Sequence, residues 1–219
     1  MRHLRYLVPV LLALILAGTA NASRLPVPAS TPSALWVGDS YTMGVGAAKP
    51  WISGESYAVS RALGWKLTLD AAGGTGFVAP SRYGPPFWKR LPSDVARIRH
   101  PDFVVIDGGR NDHGDSTTER RAVSSYFNAV ARDFPGSRVL VIAPWIMRSH
   151  SGDYSATRAI LAEQAASHGW AYIDPLAMGW IGPVTAGLVC ADGVHPSSAG
   201  YAYAEQYLVP AIAAALSLQ

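Results

Sequence analysis

The sequence predicts an α/β fold, a single layered domain in which a five-stranded parallel sheet is covered by helices on both faces. Two observations predict it. Short apolar runs alternate along the chain with longer amphipathic ones, the pattern of strand–helix–strand units. The composition also supports one large core, with 49% of the 219 residues hydrophobic and only 15% charged, which excludes global disorder. There is no internal repeat and no low-complexity block.

The first residues stand apart from that pattern. Arg2 and Arg5 precede the apolar run YLVPVLLALILAG (Tyr6 to Gly18), and Ala20-Asn21-Ala22 supplies a small-residue cleavage site. That three-part layout predicts a secretory signal peptide over residues 1–22. The apolar run is shorter than the roughly 20 residues a spanning helix needs, and no cysteine follows the cleavage site. An exported protein with no stable membrane insertion is therefore expected. Residues 23–33, which contain RLPVPASTPS, form a Pro/Ser-rich lead-in, and residues 34–219 form the folded domain.

Within that domain ALWVGDS (from Ala34), KLTLDAAGG (from Lys66), DFVVIDGG (from Asp102), SRVLVIAPW (from Ser137) and AYIDP (from Ala171) read as five strands, each bounded by Gly, Pro or Asp. Helices are predicted over Ser53–Gly64, Leu91–Arg99, Ser116–Phe134, Tyr154–Gly169 and Ser197–Leu216. In the third, Ser116 and Glu119 have capping-box spacing, Val123, Phe127, Val130 and Phe134 repeat at helical spacing, and FPG stops the run. Gly169 is placed to end the fourth.

Charge and cysteine usage narrow the function classes. Removing the leader takes away two arginines and no acid, leaving 16 basic against 15 acidic residues from the original 18 and 15. A nucleic-acid partner is not implied. The one cysteine, Cys190, cannot form an internal disulfide, so stability must come from the core. A monomer is expected.

In open α/β sheets ligands gather beyond the carboxyl ends of the strands, and the first three apolar runs end in GDS, AAGGTG and DGGRND. Ser40 stands at the first end. Its hydroxyl is a nucleophile only with a base in reach; otherwise serine there serves as a helix cap. Asp192 and His195 lie three apart on the Gly/Pro-containing loop CADGVHPSSAGY before the last helix. Such a loop can present an imidazole whose other nitrogen is held by the carboxylate, or it can be a solvated turn. Gly73, Gly74 and Gly76 permit close backbone approach to a ligand, and Asn111 offers an amide NH₂ at the third strand end. Singly these read equally as a tight turn and a capping residue.

Together, in order, GDSYT, GGTGF, GGRND and DGVHP resemble the conserved blocks of the SGNH (GDSL-type) hydrolase family, from Gly38 to Pro196. The resemblance implies a flavodoxin-like three-layer α/β/α sandwich and an exported serine esterase acting on a small-molecule or polymer-borne acyl ester without a cofactor or metal. It implies Ser40 as nucleophile, His195 as base and Asp192 as its orienting acid, with an oxyanion hole from Ser40, Gly74 and Asn111, Gly76 being the second candidate for the glycine. Tyr41 replaces the leucine of the family's nickname, at a position whose side chain the mechanism does not use. Acyl transfer on the same scaffold is the alternative reaction.

Other readings compete. GTGFVA (from Gly74) satisfies a dinucleotide fingerprint, but Pro80, Pro85 and Pro86 forbid the helix it must open. NDHGD (from Asn111) offers Asp112, His113 and Asp115 as metal ligands on one short loop with no distant partner, and reads better as a solvated turn. No G-x-S-x-G elbow occurs. Seven tryptophans and ten tyrosines would suit a non-catalytic carbohydrate-binding module, which has no need of a serine–histidine pair. The aromatic stretch from Phe77 to Pro92, with Trp145, Met147, Met178 and Trp180, is placed either to shape an acyl or sugar pocket or to pack.

Overall fold

The five apolar runs form β1 (Ser33–Gly38), β2 (Lys66–Ala71), β3 (Phe103–Asp107), β4 (Arg138–Ile142) and β5 (Ala171–Ile173). The computed structural model describes residues 30–112, 115–147, 154–181 and 187–218; the leader and residues 23–29 of the lead-in lie outside them. Every strand pair is parallel, in the order β2-β1-β3-β4-β5. That is the doubly wound, flavodoxin-like order, whose ligand crevice opens where the winding reverses, between β1 and β3. Register puts Gly38 opposite both Ala71 and Asp107, so β2, β1 and β3 finish level at that crevice.

Side-chain alternation along each strand divides the interior into two cores. Leu35, Val37, Val104, Ile106, Val139 and Val141 face one layer of helices; Ala34, Trp36, Val105, Leu140 and Ile142 face the other. The first core is closed by α4 (Phe87–Arg97), α5 (Ser116–Asp133) and α6 (Ser155–Ser167) through Phe87, Val123, Phe127 and Leu161. The second is closed by α3 (Glu55–Ala62) and α7 (Ser198–Ala215) through Val59, Leu208 and Ile212. Each such side chain contributes about 1.5–3 kcal/mol by leaving water. Two one-turn helices, α1 (Ser40–Met43) and α2 (Pro50–Ser53), lie between β1 and α3.

Three helix ends differ from the sequence reading, each for a local reason, and a fourth agrees with it. The helix expected over Ser53–Gly64 is divided, because Gly54 is extended (φ −68°, ψ 152°) between α2 and α3. The helix expected from Leu91 starts a turn earlier, at Phe87 after Pro86, so that Phe87 and Leu91, one turn apart, both reach the core; Pro92 is accommodated inside it. The cap of α5 is Asp115, whose carboxylate accepts from the N–H groups of Thr117 (3.1 Å) and Thr118 (2.8 Å). Ser116 is the first helical residue, and Glu119 is buried instead of reaching back. A carboxylate one residue upstream outcompetes a hydroxyl at the positive end of the helix dipole. At the end of α6, Gly169 takes the left-handed conformation (φ +67°), and Trp170 N–H returns to Ala165 O at 2.9 Å, the closure expected of a C-terminal glycine.

Candidate active site

β1 ends at a glycine because nothing larger fits: a Cβ on Gly38 would lie 1.9 Å from Thr42 Oγ1 and 2.7 Å from Asp107 O. Asp39 then caps α1, its carboxylate accepting from Tyr41 N–H at 2.9 Å. Capping thus falls to Asp39, and Ser40 lines a cavity of about 410 Å³ together with Met43, Val45, Gly73, Gly74, Tyr83, Asn111, Val194 and His195.

On the opposite wall, the loop before α7 folds around Asp192. One carboxylate oxygen accepts from the N–H groups of Val194 (2.9 Å) and His195 (3.0 Å), and the other meets His195 Nδ1 at 2.7 Å. Partial burial opposes the Asp192 charge, but the bond with the His195 ring and the two N–H groups outweigh it and hold the carboxyl down at about 2. A carboxylate that stays ionised fixes Nδ1 as the protonated nitrogen and leaves Nε2 as the basic one. Among the described residues no hydrogen bond joins Ser40 Oγ to His195, although both line the one cavity.

The glycine turn runs beside Ser40, since a Cβ on Gly73 would sit 3.6 Å from Ser40 Cβ. Gly74 needs its glycine for a positive φ (+74°). Gly76 is committed elsewhere: its N–H donates to Ala79 O at 2.9 Å, and a Cβ there would strike the Asp112 carboxylate. Of the two glycines singled out as oxyanion donors, Gly74 is the one that lines the cavity. Asn111 lines it too, but both its amide hydrogens have acceptors, Asp39 Oδ2 at 3.1 Å and Thr75 O at 2.9 Å.

Beneath the site lies a buried ionic cluster that sequence reasoning missed. Arg110, the variable residue of GGRND, donates through Nη1 to both Asp39 oxygens (3.2 Å), through Nη2 to Asp107 Oδ1 (2.7 Å) and through Nε to Trp145 O (2.9 Å). Glu55 is buried nearby with neither carboxyl oxygen hydrogen-bonded. Burial, and then the neighbouring Asp107, raise its pKa well above the ordinary value; burial raises that of Asp39 as well, against the pull of Arg110. Burial disfavours the Arg110 charge, but Asp107, Asp39 and Glu55 outweigh it and keep the guanidinium protonated. Three carboxyl groups around one cation favour a neutral Glu55. A second arginine, Arg90 of α4, bonds Asp70 Oδ2, Thr75 Oγ1 and Gly38 O at 2.9–3.0 Å, tying the glycine turn to the end of β1. The signal for both was an arginine inside or beside an otherwise apolar block, which composition alone does not separate from a surface charge.

The remaining singled-out residues fall outside the cavity wall. Asp112 is buried, not solvated, and accepts from the N–H groups of Phe77, Val78 and Ala79 at 2.8–2.9 Å; His113 lies outside the described residues. Trp145 and Met147 are packed in the second core, Trp180 stacks on Tyr207, and Met178 is exposed. Of the aromatic stretch from Phe77 to Pro92, only Tyr83 lines the cavity. Cys190 donates its thiol to Gly46 O at 3.3 Å. Among the described residues there is no group of three or more His, Cys, Asp or Glu fit to hold a metal ion, and no helix long and apolar enough to cross a membrane.

Residues 36–203 match the GDSL-like lipase/acylhydrolase family. A GDSL lipase of Mycobacterium tuberculosis is 32% identical over 189 residues, covering 80% of this chain and 79% of that protein. Solved structures superpose at lower identity. A family two carbohydrate esterase from Clostridium thermocellum gives a TM-score of 0.69 at 17% identity, covering 86% of this chain and 65% of its own. An acetylxylan esterase from Geobacillus stearothermophilus gives 0.62 at 16%, covering 86% and 95%.

Proposed function

From the chain's membership of the GDSL-like lipase/acylhydrolase family, which makes it a carboxylic ester hydrolase, we propose that it is an exported serine esterase whose chemistry is carried by Ser40, His195 and Asp192. One observation supports the reading above all. His195, joined to Asp192 at 2.7 Å, lines one cavity with a serine freed from capping.

His195 Nε2 takes the proton from Ser40 Oγ as that oxygen attacks the ester carbonyl. The carbonyl oxygen becomes an oxyanion, met by the main-chain N–H groups of Ser40 and Gly74 and by Asn111 Nδ2. Collapse of the tetrahedral species expels the alcohol, which receives the proton from His195, and leaves Ser40 acylated. Water attacks that acyl group by the same route and releases the acid. Asp192 keeps the imidazole in the required tautomer and balances the imidazolium as it forms.

Met43, Val45 and Val194 give the cavity an apolar side, and Tyr83 stands exposed at its rim. The substrate we favour is a short acyl group, such as acetyl, carried on a sugar polymer, a reading supported by likeness to the carbohydrate esterase and the acetylxylan esterase. Export rests on the leader over residues 1–22, and the mature chain begins at Ser23.

A serine-directed phosphonate should label Ser40 stoichiometrically and abolish hydrolysis of p-nitrophenyl esters, and N-terminal sequencing of the exported protein should start at Ser23. Activity that persists with Ser40 labelled, or label found elsewhere, would overturn the nucleophile. A chain-length series of p-nitrophenyl esters, followed by acetylated sugars, checks the acyl preference.

A further inference from the structure

Asp192 and His195 are bonded to each other and to their own loop, which fixes the pair internally but not its position over Ser40. Cys190 N–H to His195 O, Ser197 N–H to Leu188 O and the Val189–Pro196 bridge are likewise internal. Among the described residues, one strong bond crosses from the nucleophile turn to this loop. Tyr41 Oη donates to Val194 O at 2.6 Å. Tyr41 follows Ser40 directly, and Val194 directly precedes His195, so a single hydrogen bond joins the neighbours of the nucleophile and of the base.

The phenol is well placed to act as a fixed strut. Tyr41 is buried, its ring lies 4.3 Å from the Arg110 guanidinium, and Trp145 meets it edge-on at 5.0 Å. Arg110 is in turn anchored by Asp39, Asp107 and Trp145 O. Cation–π attraction strengthens where water is excluded, so the ring cannot swing without giving up its contacts with Arg110 and Trp145. The hydroxyl also accepts from Met147 N–H at 3.4 Å. Other links reach the loop and its following helix at Gly46, Ala48 and Val45, farther along the chain from Ser40.

We propose that Tyr41 is a positioning residue for this reaction: its hydroxyl, braced by Arg110, sets the placement of the His195 imidazole relative to Ser40. The inference rests on the serine esterase reading. It departs from the expectation that the side chain following the nucleophile has no part in the reaction.

Tyr41→Phe keeps the ring and its seat on Arg110 and removes the strut together with the longer contact from Met147 N–H. With p-nitrophenyl acetate, kcat should fall about 10- to 100-fold, the scale of a displacement near 1 Å at the reacting atoms. KM should stay within about twofold, because Tyr41 does not line the cavity. The midpoint of the pH–rate profile should not move, since Asp192 still faces the ring; only the plateau drops. Tyr201→Phe is the comparison, losing a similar tyrosine bond, to Val45 O at 2.8 Å, and it should keep kcat. The proposal is overturned if folded Tyr41→Phe turns over at the wild-type rate, or if Tyr201→Phe loses as much, which would mark general loosening. An active Ser40→Ala protein would sink the esterase reading itself; an inactive one beside an unimpaired Tyr41→Phe sinks this proposal alone.

Discussion

Asn111 carries the sharpest question at the scale of single residues, because its amide is shared between Asp39 and Thr75 O while its flank lines the cavity. Charge appears on the carbonyl oxygen only as the tetrahedral species forms, so a donor used there acts on the transition state. Asn111→Ala should lower kcat by about 10²–10³ with KM little changed. A raised KM at constant kcat would instead mark a substrate-binding or bracing residue. Asp192 makes a second test. Its carboxyl is held at about 2, so it is ionised throughout any practical assay, and loss of activity on acidification must come from another group. Asp192→Asn should lower kcat across the pH range, since the carboxylate that fixes the tautomer of His195 is gone. A variant with the wild-type rate and profile would assign the orienting role to a different acceptor.

At the scale of elements, helix ends decide more than helix interiors. α1 is four residues long, too short to persist alone, and exists because Asp39 caps it and Gly44 closes it at φ +79°. That short turn is what lifts Ser40 out of the sheet. α5 follows the same rule at greater length. Asp115 satisfies two of its orphan N–H groups, so Asp115→Ala should cost about 1 kcal/mol. In a domain of this size that lowers Tm by roughly 2–4 °C. Ser116→Ala should leave Tm unchanged, because Ser116 is not the cap. Equal losses in the two thermal melts would return the cap to Ser116.

Over the whole molecule, Asp39, Asp107, Glu55 and Arg110 form a polar seam buried beneath the switch point. Seams of this kind carry a pH dependence. The Glu55 carboxyl is raised well above its ordinary 4.5, so the folded state holds a proton that the unfolded chain releases. Below pH 4.5 both states are protonated and the fold loses nothing. Above it the unfolded state gains, by up to about 1.4 kcal/mol per pH unit, until the folded carboxyl itself ionises. Glu55→Gln removes that loss. Thermal melts should show the variant gaining on the wild type as pH rises from 4.5, over a constant offset from the changed group. A gap that stays flat with pH would mean Glu55 is ionised in the fold.

The five parallel strands and their two helical layers were legible because alternating apolar and amphipathic runs leave a chain of this length few ways to bury both faces of each strand; their order was not. The sites were legible as types: Ser40, Asp192, His195, Gly74 and Asn111 each stood in a block whose composition marks a strand end or a turn. What sequence could not show was the partner of each group. That Asp39 caps while Ser40 does not, that Gly76 spends its N–H on Ala79 O, and that Asn111 is held by Asp39 are matters of distance between segments up to 72 positions apart. Tyr41, Arg110 and Glu55 were invisible for the same reason. A tyrosine, an arginine and a glutamate look like surface residues until the fold removes their water, and only then does each require a partner or a proton. Local sequence determines propensity and hydrophobic period; which buried charges must answer one another is decided only when the sheet closes.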